Sequence, residues 1–263
     1  MSDALRFFSI DSPKAIKANK YGYVNAINYM APAATAGVGN LCPHASPGCL
    51  ALCLGWYSGQ AGMLSNAAME HGSNAARASR ARKAVKFMHE RQAFLMDMCK
   101  GIEACQRKAA RLGLNLCVRP NGATDIAWES VKFKYGNSLA TVVEVFNTTQ
   151  FVDYTKNYKR MLKFCAGEFP RNYHLTFSRS EVNEAQCLDV LARGGNVAVV
   201  FAGDKPSEYL GSKVLDGDMH DLRHLDGDAR ANSGLPAMRG YIIGLSPKGR
   251  KTKNDTSGFV VRL

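Results

Sequence analysis

The chain has 263 residues, 46% hydrophobic and 21% charged, a balance that suits one large globular domain and excludes a disordered or low-complexity polymer. No run of about 18 apolar residues occurs and the N-terminus lacks a charged-then-apolar leader, so neither a membrane span nor an export signal is expected, and the cytoplasm is the expected compartment. A net charge of +12 points to anionic partners, with nucleic acid and a small anionic ligand both open.

Residues 1–20 read as an edge segment, with a short apolar piece and a turn at Ser12-Pro13. Residues 21–31, aromatic and branched with partial alternation, predict a strand that Pro32 ends. The stretch from Asn40 to Gly55 then places Cys42, Cys49 and Cys53 in one loop, where Pro43, Pro47 and Gly48 force the backbone to curl. A curled loop can aim several thiolates at one centre, and Leu50, Leu52 and Leu54 would shield it from water.

Residues 65–112 carry helical periodicity that Gly72 and Gly101 divide, with a basic face at Arg77, Arg80, Arg82, Lys83, Lys86 and Arg91. That face reads as solvated first and as a nucleic-acid surface second, since no aromatic platform is interleaved with it. Strands are predicted over 114–118, 151–155, 173–177, 196–201 and 213–215, with helices over about 130–146, 158–166 and 181–193 between them. Residues 241–263 add two short C-terminal strands around the basic loop 248–253. Strand and helix alternation with no linker predicts a single α/β domain over 1–263, a partial parallel, TIM-like (β/α) barrel of about six strands; an open doubly wound sheet is the alternative.

The loops after the strands of such a barrel form its site. They hold Arg119, Asn121, Asp125 and Glu129; Asp153 and Lys156; Ser178, Arg179 and Asn183; Asp204 and Lys205; and Asp216, Asp218, His220, Asp221 and His224. Blander roles compete. Arg119 and Asp125 can brace the mouth, Asp153 and Lys156 can form a surface pair, and Ser178 and Asn183 can cap the next helix. Eight cysteines in a reducing compartment argue against disulfides, and Cys99, Cys105, Cys117, Cys165 and Cys187 read as small core residues.

Cys42, Cys49 and Cys53 alone suit a three-iron (3Fe-4S) cluster or a four-iron (4Fe-4S) cluster with one open iron. With His44 they would make a closed structural zinc site. No nucleophile-elbow serine, Walker loop or zinc-protease helix motif is present.

The cysteine loop, the Arg119-to-Glu129 loop, the Val-Asp-Tyr-Thr-Lys segment ending at Lys156 and the apolar run 196–201 together resemble a family of uncharacterised bacteriophage-encoded proteins, which implies the cytoplasm of an infected bacterium. More distantly, a cysteine trio after the first strand of a partial barrel is similar to radical S-adenosylmethionine enzymes. That resemblance implies a four-iron cluster whose open iron takes S-adenosylmethionine. The spacing departs from that pattern, since Trp56 stands where the last cysteine would be and Cys42 has to substitute.

The leading expectation is therefore an iron–sulfur protein with Cys42, Cys49 and Cys53 as ligands. Arg119, Asn121, Asp125, Asp153, Lys156, Ser178 and Asn183 would line a pocket for a small anionic or nucleotide-like ligand. The alternative is a zinc-stapled, basic nucleic-acid-binding protein without catalysis.

Overall fold

The computed structural model describes residues 7–63, 74–227 and 239–263. Its centre is an eight-stranded sheet. In chain order the strands are β1 (Tyr23–Ile27), β2 (Asn115–Arg119), β5 (Gln150–Thr155), β6 (Tyr173–Ser178), β7 (Val197–Val200), β8 (Glu208–Tyr209), β9 (Ser212–Asp216) and β10 (Ile242–Leu245). A separate hairpin pairs β3 (Lys132–Tyr135) with β4 (Ser138–Thr141). The sheet order is β1-β2-β5-β6-β7-β10-β9-β8, with every neighbouring pair parallel except the antiparallel β8–β9 edge.

The sheet is open, because β1 and β8 are its two edges and do not pair with each other. The α/β class and parallel pairing expected from the sequence hold, whereas the sheet does not close. From β1 to β7 the order runs in one direction, so right-handed crossovers carry the helices to one face.

Residue alternation along the strands separates the two faces. On the helix face, Val24, Ala26, Leu116, Val118, Phe151, Leu175, Phe177, Val197 and Val199 join the main core with Phe94, Leu95, Met98 and Ile102. On the other, Cys117 and Val152 form a small separate cluster with Ala18, Leu222 and Tyr23. Arg119 and Tyr154 share that second face, which is the polar one.

The helices are α1 (Pro13–Ile16), α2 (Pro47–Ala51), α3 (Leu54–Tyr57), α4 (Gly59–Gly62), α5 (Ala75–His89), α6 (Arg91–Arg111), α7 (Val142–Val145), α8 (Tyr158–Cys165), α9 (Glu184–Ala192) and α10 (Arg250–Lys253). The long helical stretch breaks at Glu90 and not at Gly101, which lies buried inside α6. The Gly72 division lies outside the described residues.

The helix expected over 130–146 is mostly the β3–β4 hairpin, followed by the single turn α7. Its two-residue connection, Gly136-Asn137, has Gly136 at φ 58°, a conformation suited to a tight hairpin turn. The last predicted strand reduces to one bridge between Phe201 and Val261. The strand over 241–245 is central, inserted between β7 and β9. No described helix is long and apolar enough to cross a membrane.

Candidate metal centre

The first half of the cysteine loop is shaped by backbone contacts to sulfur. Cys42 N–H donates to Asn40 Oδ1 at 2.8 Å, and the Cys42 sulfur accepts from Ala33 N–H at 3.2 Å. Ser46 then caps α2, its hydroxyl accepting from Cys49 N–H at 3.2 Å, with Pro47 at the first helical position. Cys53 sits at the N-cap of α3, its C=O accepting from Trp56 N–H at 3.0 Å and Tyr57 N–H at 2.8 Å.

Close packing holds the loop against the segment after β2. A Cβ on Gly55 would collide with Ala123, and the Cys42 thiol donates to Ala123 C=O at 3.6 Å. Two arginines of α5 secure the loop's carbonyls from the other side. Arg77 donates to Trp56 C=O at 2.9 Å and Ala61 C=O at 2.8 Å and stacks on Trp56, while Arg80 donates to Gly55 C=O. These two members of the predicted basic face are therefore turned inward to brace the cysteine loop, whereas Arg82 is exposed.

All three cysteines border one cavity of about 230 Å³ at the C-terminal ends of the strands. Its wall is largely apolar, with Leu50, Leu52, Leu54, Ala198, Val200 and Phe259, and its polar groups come from Arg119, Asp125, Lys156, Ser178 and Arg179. Burial pushes the Cys42 thiol up to about 12 and that of Cys53 up to about 11, and the neighbouring cysteine sulfurs add to the rise at both. A group that binds here must therefore displace thiol protons and supply positive charge to hold three thiolates together.

Among the described residues no three Cys, His, Asp or Glu side chains stand in an arrangement that holds a single metal ion. In a cluster each thiolate binds a different iron, so the donors need only border one volume, and the cysteine trio does. His44 is exposed and is not part of that cavity wall.

The remaining predicted site residues divide into wall and support. Arg119 lies on the wall, stacked on Tyr154, with its Nη1 donating to buried Asp221 at 2.7 Å; Tyr154 O–H donates to the same carboxylate. The expected Arg119–Asp125 brace does not form. Asp125 instead accepts from Thr155 O–H and Lys156 N–H, each at 2.8 Å, with Arg160 at 3.6 Å.

Asn121 borders the cavity, but its side chain is committed: Nδ2 donates to Asp153 and Ile126 C=O, and Oδ1 accepts from Thr124, Ile126 and Trp128. Asp153 lies behind the wall and is fully buried. It accepts from Asn121 and Tyr173, so it is not half of a surface pair with Lys156. Burial pushes its carboxyl up to about 7, opposed by Arg160 and the Tyr173 hydroxyl.

Lys156 donates to Ser178 Oγ at 2.8 Å beneath the Phe259 ring, and both polar residues line the cavity. Among the described residues Lys156 has no carboxylate within ion-pair distance. Asn183 is off the wall. It makes no side-chain cap for α9 and instead ties the turn before it, accepting from Ser180 N–H and donating to Ser178 C=O. Glu129 is partly buried support, held in two hydrogen bonds by Arg160. Asp216 and Asp218 pair with Lys205 at the far edge.

Tyr154, Lys248, Thr252 and Phe259 also line the wall and were not among the expected site residues. The last three follow β10, and reading 241–263 as a peripheral tail concealed that this segment is also a loop after a parallel strand.

The family model described as Gene product 88 matches residues 7–263. The chain belongs to the Gene product 88 family. That match fits the phage-type family that the cysteine and Arg119 loops resemble. Neither a curated protein nor a solved structure matches this Gene product 88 chain.

Proposed function

We propose that this Gene product 88 protein binds an iron–sulfur cluster through Cys42, Cys49 and Cys53 and presents it to a small anionic ligand in the adjoining cavity. The observation that carries this reading is the meeting of three thiols, two of them with raised pKa values, on one wall of a cavity that also holds Lys156 and Ser178. Bound there, a cluster would supply an electron or a Lewis-acidic iron.

The chain's own residues would do the rest. Of the three leucines expected to shield the sulfurs only Leu52 is buried, Leu50 and Leu54 each being 45% exposed; Arg80 places positive charge near Cys53, and Lys156 offers a cation to the ligand. Arg119, aligned by Asp221 and Tyr154, supplies a second cation. The single direction of sheet order from β1 to β7 supports reading the sheet as a partial barrel, with the cysteines after its first strand. An oxygen-sensitive centre of this kind fits the reducing cytoplasm of an infected host.

Anaerobic reconstitution with iron and sulfide tests the proposal. The expected product is brown, with a broad band near about 400 nm that C42A, C49A and C53A each diminish. A colourless protein carrying one zinc would replace this reading with the zinc-stapled one, and steeply salt-dependent DNA or RNA binding would then define its partner. Addition of S-adenosylmethionine to the reduced protein, with cleavage followed, tests whether the cavity accepts that cofactor.

A further inference from the structure

The turn after β6 reaches across the sheet end to the cysteine loop. Asn183 shapes this turn, as described above, and the side chain it presents is Glu181. Glu181 Oε1 accepts from Gly48 N–H at 2.7 Å, and its Oε2 accepts from Ser46 O–H at 2.8 Å. The Ser46 oxygen accepts in turn from Cys49 N–H.

One carboxylate thus satisfies, directly or through Ser46, two amide donors in the first turn of α2, and Cys49 is the third residue of that helix. The contact admits no side chain at position 48, since a Cβ there would lie 2.7 Å from Glu181 Oε2 and 2.8 Å from Ser257 Oγ.

We infer that Glu181 is a positioning residue that clasps the cysteine loop and holds Cys49 beside Cys42 and Cys53. Its consequence for iron rests on the cluster reading; its consequence for the loop does not. Ser46, Pro47 and Gly48 form the N-terminal end of α2, and among the described residues no other side chain accepts from both the Ser46 hydroxyl and the Gly48 N–H. A two-point charged acceptor fixes the angle of the turn, as one hydrogen bond cannot. Outer partners that orient a ligand-bearing segment commonly change metal affinity by roughly 10- to 100-fold.

The test uses the full chain in two states. In the reconstituted protein, iron loss to a chelator is timed for wild type, E181A, E181Q, G48A, S46A and E181A/S46A, with R193A at an exposed site as control. The expected result is loss roughly 10- to 100-fold faster in E181A and G48A. E181Q should be intermediate, S46A should add little on the E181A background, and R193A should match wild type.

In the iron-free chain, alkylation of each cysteine is followed by peptide mass spectrometry. Cys49 should react faster in E181A and E181Q, with Cys187 unchanged. E181Q and G48A keep the test decisive should E181A not fold. Wild type that loads iron while E181A matches it in both assays overturns the clasp and leaves the cluster standing. Wild type that takes up no iron while E181A still exposes Cys49 overturns the cluster and leaves the clasp.

Discussion

Arg160→Met removes the cation on which the wall behind the cavity depends. Arg160 is 4% exposed; its Nε and Nη2 grip Glu129 at 2.8 and 2.7 Å, and Nη2 also donates to the Tyr173 hydroxyl at 2.8 Å. It is the largest opposing influence on the raised Asp153 carboxyl and lies 3.6 Å from Asp125. Methionine fills similar volume, so the change leaves Glu129, whose side chain is 13% exposed, without its partner and without opening a large cavity. Breaking a buried pair this way costs about 3–5 kcal/mol. For a chain of this size that is a fall of roughly 6–20 °C in melting temperature.

Thermal unfolding at pH 7, followed by circular dichroism, measures it. R160M/E129Q should recover part of the loss, because the stranded charge goes with its partner. A melting temperature within about 2 °C of wild type for R160M would refute the reasoning, since the pair would then contribute less than about 1 kcal/mol.

Other expectations follow from the same geometry. His44→Ala should leave metal content unchanged by elemental analysis, and halved metal would instead make His44 a ligand. Gly55→Val should lose iron faster while keeping its far-ultraviolet spectrum, because the added side chain strikes Ala123 and spreads the two loops; wild-type iron retention would contradict that contact. The native pKa of Cys42 is raised to about 12 and that of Cys53 to about 11 by burial, so native thiols bind protons that the unfolded chain releases above about 9. Stability of the iron-free protein should therefore be intact below about pH 9 and decline as pH rises toward 11, with C42A/C53A declining less in chemical denaturation.

The sequence disclosed those parts of the fold whose signal is local. Val197–Val200 reads as a buried strand because its run is apolar and bounded by glycines, and the cysteine loop is visible because its prolines mark a break in the chain, although Pro47 and Gly48 open the short helix α2 instead of excluding one. Sheet order is a different kind of information. Nothing in Ile242–Leu245 states that it pairs with both Val197–Val200 and Ser212–Asp216 rather than ending the chain at an edge. The hairpin over 132–141 was obscured by Val142, Val143 and Val145, which extend the apolar pattern past its turn.

At the candidate site, residue type was informative but direction was not. Asp153 and Lys156 follow one another along the end of β5, yet Asp153 turns into the helix-side core and Lys156 toward the cavity. Likewise Asn121 is a saturated hub for Trp128, Thr124 and Asp153. Arg77 and Arg80 read as surface charge because α5 is basic throughout, and only the carbonyls at the end of α3 and nearby explain why they face inward.

The most direct measurement is anaerobic quantification of iron, sulfide and zinc per chain, coupled to electron paramagnetic resonance of the dithionite-reduced protein, in wild type and C49A. The account predicts about three to four irons with matching sulfide and a cluster signal in wild type, both largely lost in C49A. Zinc in place of iron, or iron bound equally well without Cys49, would contradict it.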